Sequence, residues 1–365
     1  MTKPGMRTLY ERELAIRPPE VLTEGARVRQ EELETLFLDG NEVREQLVTW
    51  RKSCPVCGRA SLRERARSKK WPMAECSNCG VVTILAVPTS AAWTEYYSTS
   101  RAEAMFHRKV FEGTKQKRFV TIDEQRARWV QERCPAKGRL LDVGCSSGTL
   151  LEAMEASGGW ECHGIEPNPE AVKLAHAKGL MNVVHAQLED YVPERRFDVL
   201  TFFSVLAQVD DPLASLRRLR AALLPGGRIF LADVNFDGFY AAVVGDDHLS
   251  FVPPIHKNFL TSKTIVTLLE TAGFQDVEVH TPGQLDLVRV WMYWEGGGRK
   301  GWNDAIHRVI AHELEKDSAV LQELIVASNA SEHMWVTAKK SMAADARSAG
   351  DGGEHRSGAL PGPSR

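Results

Sequence analysis

Two sets of residues announce chemistry in this chain of 365 residues. The first is Asp142-Val143-Gly144-Cys145-Ser146-Ser147-Gly148, answered downstream by Glu166-Pro167. A glycine-punctuated turn that opens a helix, with an acid ending the next strand, seats a nucleoside at the carboxyl edge of a parallel sheet. The acid then accepts hydrogen bonds from both ribose hydroxyls. The spacing here is Gly-x-x-x-Gly, without the central glycine that lets a backbone approach a pyrophosphate. Asp142 at the mouth of the turn would repel phosphates, and no Gly-Lys-Ser/Thr follows to hold a triphosphate. The turn suits a cationic nucleoside. S-adenosylmethionine, with a sulfonium and an ammonium, is one.

The second set is Cys54-Pro55-Val56-Cys57-Gly58 and Cys76-Ser77-Asn78-Cys79-Gly80, two knuckles eighteen residues apart. Each Cys-x-x-Cys turn presents two thiolates on one side, and the following glycine turns backbone amides toward sulfur. Together they offer a tetrahedral site for structural zinc; tetrathiolate iron fits the same geometry. Arg59, Arg63, Arg65, Arg67, Lys69 and Lys70 lie between the knuckles beside Trp71, a basic patch with an aromatic that could touch nucleic acid. Glu64 and Glu75 dilute it. Cys134, Cys145 and Cys162 have no such pairing and read as packed thiols.

The elements that must position these groups follow from the pattern of apolar runs. Residues 138–340 alternate strands and helices, which gives an α/β, doubly wound, mostly parallel sheet. Strands are expected at Gly138–Val143, Cys162–Ile165, Met181–His185, Phe197–Phe203, Arg228–Val234, Phe274–His280 and His333–Lys339. Asn168-Pro169 and Asp211-Pro212 read as helix starts, and Gly179 and Gly273 as stops. Residues 283–332 form a helical insertion whose Trp291, Tyr293, Trp294 and Trp302 could roof a pocket. Ahead of the sheet lie a helical N-terminal segment 1–50, with an amphipathic helix over Val28–Leu38, the cysteine module 51–87, and a helical bridge 88–137. The bridge carries Trp93, Tyr96, Tyr97, Phe106, Phe111, Phe119 and Trp129. The tail 341–365 has the composition of a disordered segment. Net charge is −2, so no basic field advertises nucleic acid globally. No apolar run is long enough for a membrane span, and no signal peptide is visible, which points to a cytoplasmic protein without a membrane partner. Oligomeric state is not written in the sequence.

These motifs carry a resemblance. Leu141-Asp142-Val143-Gly144-Cys145, Gly164-Ile165-Glu166-Pro167-Asn168, Phe197-Asp198-Val199, Asp211-Pro212-Leu213, Leu224-Pro225-Gly226-Gly227-Arg228 and Pro254-Ile255-His256 span roughly residues 50–340. The chain resembles a bacterial class I S-adenosylmethionine-dependent methyltransferase with an N-terminal zinc ribbon, its core similar to the ubiquinone-biosynthesis type. The resemblance implies a Rossmann-like, seven-stranded sheet with its last strand antiparallel, and a small-molecule acceptor such as a sugar or natural-product intermediate. It places the cofactor on Asp142, Gly144, Cys145, Ser147, Gly148, Glu166 and Pro167. The adenine falls at Leu188 and Glu189, and Phe203 and Ser204 close the site. One departure stands out. Where relatives commonly carry an acid and then Glu-His after the fourth strand, this chain has Ser204-Val205-Leu206-Ala207-Gln208. Gln208 can orient a hydroxyl but cannot act as a base near neutral pH.

Methyl transfer from a sulfonium is an in-line displacement with a good leaving group, so positioning and desolvation dominate, and a base is needed only for a protonated nucleophile. Candidates should follow the fourth and fifth strands. Tyr240, His248 and His256 do so, and His256 fits best because it ends the rigid Pro253-Pro254-Ile255-His256, matching the family's Pro-Pro-x-His. The readings that compete with a small-molecule enzyme are an RNA methyltransferase guided by the ribbon and a non-catalytic cofactor-binding partner subunit.

Overall fold

The computed structural model describes residues 5–16, 24–106, 108–109, 113–297 and 304–342. Phe111, Trp302 and the tail from 343 onward lie outside the described residues. Seven strands form the central sheet: β1 Gly138–Val143, β2 Trp160–Glu166, β3 Val183–His185, β4 Phe197–Phe203, β5 Leu223–Val234, β6 Gln275–His280 and β7 His333–Lys339. Their order is β3-β2-β1-β4-β5-β7-β6. β7 runs antiparallel to β5 and β6, and the other neighbouring pairs are parallel. This is the seven-stranded sheet, with an antiparallel last strand, that the resemblance implies. Strand order reverses between β1 and β4, so a crevice opens at their carboxyl ends.

Local chemistry explains the element boundaries. β1 and β4 are apolar on both faces (Leu140, Leu141, Val143; Val199, Leu200, Phe202), as strands covered by helices on both sides must be. The Asn168 side chain accepts from the amides of Glu170 and Ala171 with Pro169 at the first helical position, and Asp211 caps the amide of Ala214 ahead of Pro212–Ala222. Gly179 and Gly273 take φ of +90°, the left-handed stop that a side chain would strain. Four strands differ in their bounds from the apolar runs that suggested them: β2 starts two residues early and ends one late, and β6 starts one residue late. β3 starts two residues late, because Leu180 still bonds back to Ala175 and Met181 is exposed. β5 starts five residues early: Leu223 already pairs with Phe197, and the register then shifts across Pro225-Gly226-Gly227, where proline has no donor for the ladder.

The N-terminal modules are fastened to this sheet. Leu62–Ser68, Trp71–Cys76 and Val82–Ile84 make an antiparallel ribbon, and Asn258–Phe259 of the core joins it as a fourth strand. Cys54, Val56, Cys76 and Val81 share one apolar cluster with Leu206, Val209 and Leu213 at the base of the β4 loop. A second cluster gathers Leu33 and Phe37 of the helix Ala26–Phe37, Trp71 and Met73 of the ribbon, Ala92 and Tyr96 of the helix Ser90–Thr99, and Val252, Ile255 and Phe259.

The insertion holds three helices, Asp286–Glu295, Asp304–Glu315 and Val320–Ala327, against the first helix, Met6–Ile16. Among the described residues, its aromatics are held by side-chain partners. Trp291 and Trp294 pack on His307 at ring distances of 5.4 and 5.1 Å, and the Tyr293 hydroxyl donates to Asp247 at 2.7 Å. Beneath them Arg289 bridges Glu13 (3.3 Å) and Glu332, all at most 3% exposed. A buried guanidinium between two carboxylates ties the first helix to the mouth of β7.

Candidate active site and metal centre

The turn after β1 is built for close approach. Gly144 has φ of +71° and donates to the Ile165 carbonyl (2.9 Å); a Cβ there would lie 2.6 Å from Val205. Gly148 opens the helix Thr149–Ala156 at φ of +77°, and its missing Cβ would strike Leu180 at 2.3 Å. Both glycines are required, one by each flank of the crevice. Ser147 is held from behind, since Lys178 donates to its carbonyl and hydroxyl while pairing with Glu152. Cys145 is buried, its sulfur 2.6 Å from where a Gly164 Cβ would stand, so it packs the floor.

Two acids face each other across this turn. Glu166 accepts from the Ser146 amide (2.8 Å) on one oxygen and the Asn168 amide (2.9 Å) on the other. Those bonds fix the carboxylate plane and leave a second lone pair on each oxygen for ligand hydroxyls. Burial raises its pKa, with the two amides pulling against the rise. Asp142 is 4% exposed, accepts from the Thr201 hydroxyl at 2.7 Å, and is pushed up by burial to about 7. Leu188 is buried in a turn after β3 while Glu189 beside it is exposed; the helix start that Glu-Asp could have made there is absent. Pro167 leads into the Asn168 cap, with its carbonyl 3.0 Å from His185 Nε2.

Ser204, at the end of β4, has φ of +63°, and its hydroxyl accepts from Arg126 (3.3 Å), whose guanidinium lies 4.8 Å over the Phe203 ring. Arg126 also feels the charges of Asp123, Asp142 and Asp233. Asp233 ends β5, is held up near pH 6 by burial, and accepts from the amides of Ala207 (3.1 Å) and Val234. Reading the sequence missed Arg126, Asp233, Thr201 and Asp123. An acid closing the fifth strand was a visible signal for Asp233. Arg126 had none, being one arginine in a basic helix. Gln208 turns away, donating to the Ser204 carbonyl at 3.2 Å.

The three candidate bases occupy different environments. Tyr240 and His248 are each 1% exposed, their rings 4.6 Å apart inside the packing around the insertion. His248 accepts from the Ser250 amide at Nδ1 and has Nε2 3.5 Å from Glu332. Burial, then Arg289, His256 and Lys69, lowers its pKa to about 3. His256 is half-buried after the cis Pro253-Pro254 bond, and its Nδ1 has no hydrogen-bond partner. Burial, then Arg29 and Lys69, depresses it likewise to about 3, so the ring is neutral at neutral pH.

The four cysteines converge. Cys54 and Cys79 sulfurs are 3.5 Å apart, Cys57 and Cys76 sulfurs 3.7 Å, and all four lie within 4.8 Å of one another. Sulfurs about 2.3 Å from one ion in a tetrahedron sit at such separations. Gly58 (φ +73°) and Gly80 (φ +79°) close the knuckles by bonding back to the Cys54 and Cys76 carbonyls. The amides of Val56 and Cys57 point at the Cys54 sulfur at 3.4 and 3.5 Å, a second shell suited to thiolate. The donor set fits a tetrathiolate metal.

A family model described as a methyltransferase domain matches residues 115–279. The ubiquinone biosynthesis O-methyltransferase of Xanthomonas axonopodis pv. citri (strain 306) is 33% identical over 174 residues, covering 44% of this chain and 72% of that protein. The enzyme of the same name from Xanthomonas oryzae pv. oryzae (strain PXO99A) is 32% identical over the same shares. Among solved structures, a SAM-dependent methyltransferase from Archaeoglobus fulgidus aligns with a TM-score of 0.41 at 20% identity, over 63% of this chain and all of that one. The plantazolicin methyltransferase BpumL in complex with SAH aligns at 0.45 and 16%, over 68% and 93%. By its likeness to the Xanthomonas enzymes, joined to the β1 turn and the acid of β2, this chain belongs to the class I S-adenosylmethionine-dependent methyltransferases.

Proposed function

We propose that this methyltransferase acts on a hydroxyl of a small molecule, a sugar or natural-product intermediate, with a structural zinc in its N-terminal ribbon. The observation that carries the small-molecule reading is the state of the ribbon's basic residues. Arg65 pairs with Glu75 (3.2 Å), Arg67 with Glu42 (2.6 Å) and Lys70 with Glu34 (2.6 Å). Trp71 is 2% exposed and donates its indole N–H to the Ala86 carbonyl. An indole committed to the core cannot stack on a base, and paired arginines release few counterions on meeting phosphate. The hydroxyl follows the O-methyltransferase name of the relatives.

In this reading Asp142 and the carbonyls of the β1 turn face the positive part of the cofactor, Glu166 takes the ribose hydroxyls, and Leu188 packs on the adenine. Arg126 stands where it can meet the cofactor's carboxylate. His256, neutral and with Nδ1 unengaged, receives the acceptor's proton as the methyl moves. The sulfonium loses its charge in that step, so a dry, rigid crevice lowers the barrier by positioning rather than by new covalent chemistry. Zinc held by Cys54, Cys57, Cys76 and Cys79 would supply folding energy and no chemistry.

The test is transfer itself. Zinc-loaded protein with methyl-labelled S-adenosylmethionine and a cell extract should put nuclease-resistant, base-labile or stable label into molecules of low mass. Label in large, nuclease-released material would overturn the reading in favour of RNA. Absence of label with S-adenosylhomocysteine bound would favour a silent partner subunit.

A further inference from the structure

Four segments far apart in the chain meet around His256. Arg29, Leu33 and Phe37 stand four residues apart on one face of the helix Ala26–Phe37. Leu33 and Phe37 pack in the same cluster as Ile255, the neighbour of His256, which brings Arg29 to the imidazole. Lys69 sits in the ribbon turn at φ of +46°, two residues before the buried Trp71, and its ammonium bonds to the Phe251 carbonyl at 2.5 Å. Trp93, on the helix Ser90–Thr99, stacks on Tyr97 at 5.5 Å and carries the Lys257 ammonium 5.2 Å over its ring. Tyr97, on the same helix, is 52% exposed and packs against Trp93 and Tyr96.

Three buried polar atoms of the cluster have no hydrogen-bond partner: Nδ1 of His256, the indole Nε1 of Trp93 and Nε of Arg29, the last ion-paired with Glu103 outside hydrogen-bond geometry. An orphaned buried group needs an explanation, and a ligand with donors and acceptors of its own is one that serves all of these atoms at once. The charges ask for one too. Arg29 is fixed by Glu103 at its Nε (2.9 Å) and by the Phe106 ring 3.8 Å from its guanidinium. Lys69, among the described residues, rests on a carbonyl, with Asp246 and Asp247 acting only at longer range. A half-buried ammonium without a contacting carboxylate is costly until an anion arrives.

We infer that the acceptor of the methyl group carries an acidic group, a carboxylate or a phosphate, held by Arg29 and Lys69 beside His256 with the Trp93 indole N–H as a further donor. This deepens the proposed function and rests on it. It also gives the N-terminal modules a role: the helix and the ribbon supply the specificity determinants, and the methyltransferase core supplies the cofactor.

The test uses the full chain loaded with zinc and S-adenosylhomocysteine and labelled with carbon-13 in its histidines; the spectrum of H256Q assigns the His256 signal. Inorganic phosphate, pyrophosphate, acetate and benzoate are titrated in turn. The expected result is a saturable shift of the His256 signal with one class of probe, weakened about tenfold by Arg29→Met or Lys69→Met. Arg29→Lys should restore part of the affinity. Response to phosphates alone assigns a phosphorylated acceptor, and response to carboxylates alone assigns an acid. No shift with any probe, or equal titration in the Arg29→Met, Lys69→Met double variant, overturns the inference. S-adenosylhomocysteine affinity is measured on every variant. If the parent chain fails to bind it, the methyl-transfer reading itself has failed; if it binds while the anions do not, only the inference has.

Discussion

On the proposed reading, the crevice has two halves made in opposite ways. The cofactor half is local: Asp142, Gly144, Ser147, Gly148 and Glu166 fall within one strand-turn-helix-strand unit, with two backbone amides holding Glu166 and the Thr201 hydroxyl of β4 holding Asp142. The acceptor half is assembled from afar. Arg29, Lys69, Trp93 and His256 come from a helix, a ribbon turn, a bridge helix and a loop, joined by side-chain packing. A local site survives damage elsewhere in the chain, and an assembled one does not. The two halves should therefore come apart under mutation.

The largest separation is expected from the metal. The β4 loop and the His256 segment hang on the ribbon: Ile84 donates to the Lys257 carbonyl (3.1 Å), Thr83 to the same oxygen (2.8 Å), Lys257 to the Ala207 carbonyl (2.7 Å), and Asn258 to the Val209 carbonyl (2.7 Å). A structural tetrathiolate zinc contributes roughly 10 kcal/mol or more of folding energy. Cys57→Ser, or chelation, should abolish turnover and raise hydrogen exchange across 204–211 and 256–259, while S-adenosylhomocysteine affinity stays within a few-fold. Calorimetry beside exchange mass spectrometry checks it. Equal loss of both halves would mean that the ribbon holds the whole fold.

Next come the two single-residue cuts, one in each half. His256→Gln should lower kcat by about 10²-fold or more at unchanged cofactor affinity, the range for removing a general base. Glu166→Gln should do the reverse. Losing charge-assisted bonds to ribose costs about 1.5–3 kcal/mol, so affinity for S-adenosylhomocysteine should fall by about ten- to a hundredfold or slightly more, with kcat at saturating cofactor largely kept. Steady-state kinetics beside calorimetry separates the two. A kcat effect at Glu166 with intact affinity would sink the division of labour.

The same division explains what the sequence made legible. The antiparallel last strand came with the family resemblance, whereas the alternation of strands and helices, the Asn168 and Asp211 caps and the cysteine cluster rest on interactions spanning a few residues or on a fixed metal-ligand spacing. They could be read directly. β5 was read short because its first pairing partner, Phe197, lies in another strand. The aromatics of 283–332 suggested a roof, but their partners are His307 and the helix Met6–Ile16, a pairing that no periodicity within the insertion encodes. Arg29 carries no signal in the sequence and Lys69 reads as part of the basic patch, because nothing near them in sequence says that Ile255 and His256 will arrive. Trp71 read as half of a nucleic-acid patch for the same reason: its partners Phe37 and Ala86 lie elsewhere.

The smallest expected effect is also the most specific to the cofactor half. Asp142, pushed up to about 7 by burial, is largely protonated in the free protein below that pH; Asp123 and Glu166 reinforce the rise, while Thr201 and Arg126 oppose it. A cation bound near Asp142 favours its ionised form, so affinity for S-adenosylmethionine should strengthen as pH rises toward 7 and level off above it. The slope cannot exceed about tenfold per pH unit for one proton. Glu166, raised as well, adds a dependence of the same sign, but its partners are ribose hydroxyls and it acts equally on S-adenosylhomocysteine. S-adenosylhomocysteine lacks the sulfonium charge, so the ratio of the two affinities isolates Asp142. Calorimetric titrations of both ligands from pH 5.5 to about 8 should give a ratio that moves toward S-adenosylmethionine through the pKa of Asp142. In Asp142→Asn the ratio should be flat, with the pH dependence shared by both ligands retained. A flat ratio in the parent chain would mean that the sulfonium does not sense Asp142, and that the acid acts on the ammonium common to both ligands or by orienting the β1 turn through Thr201.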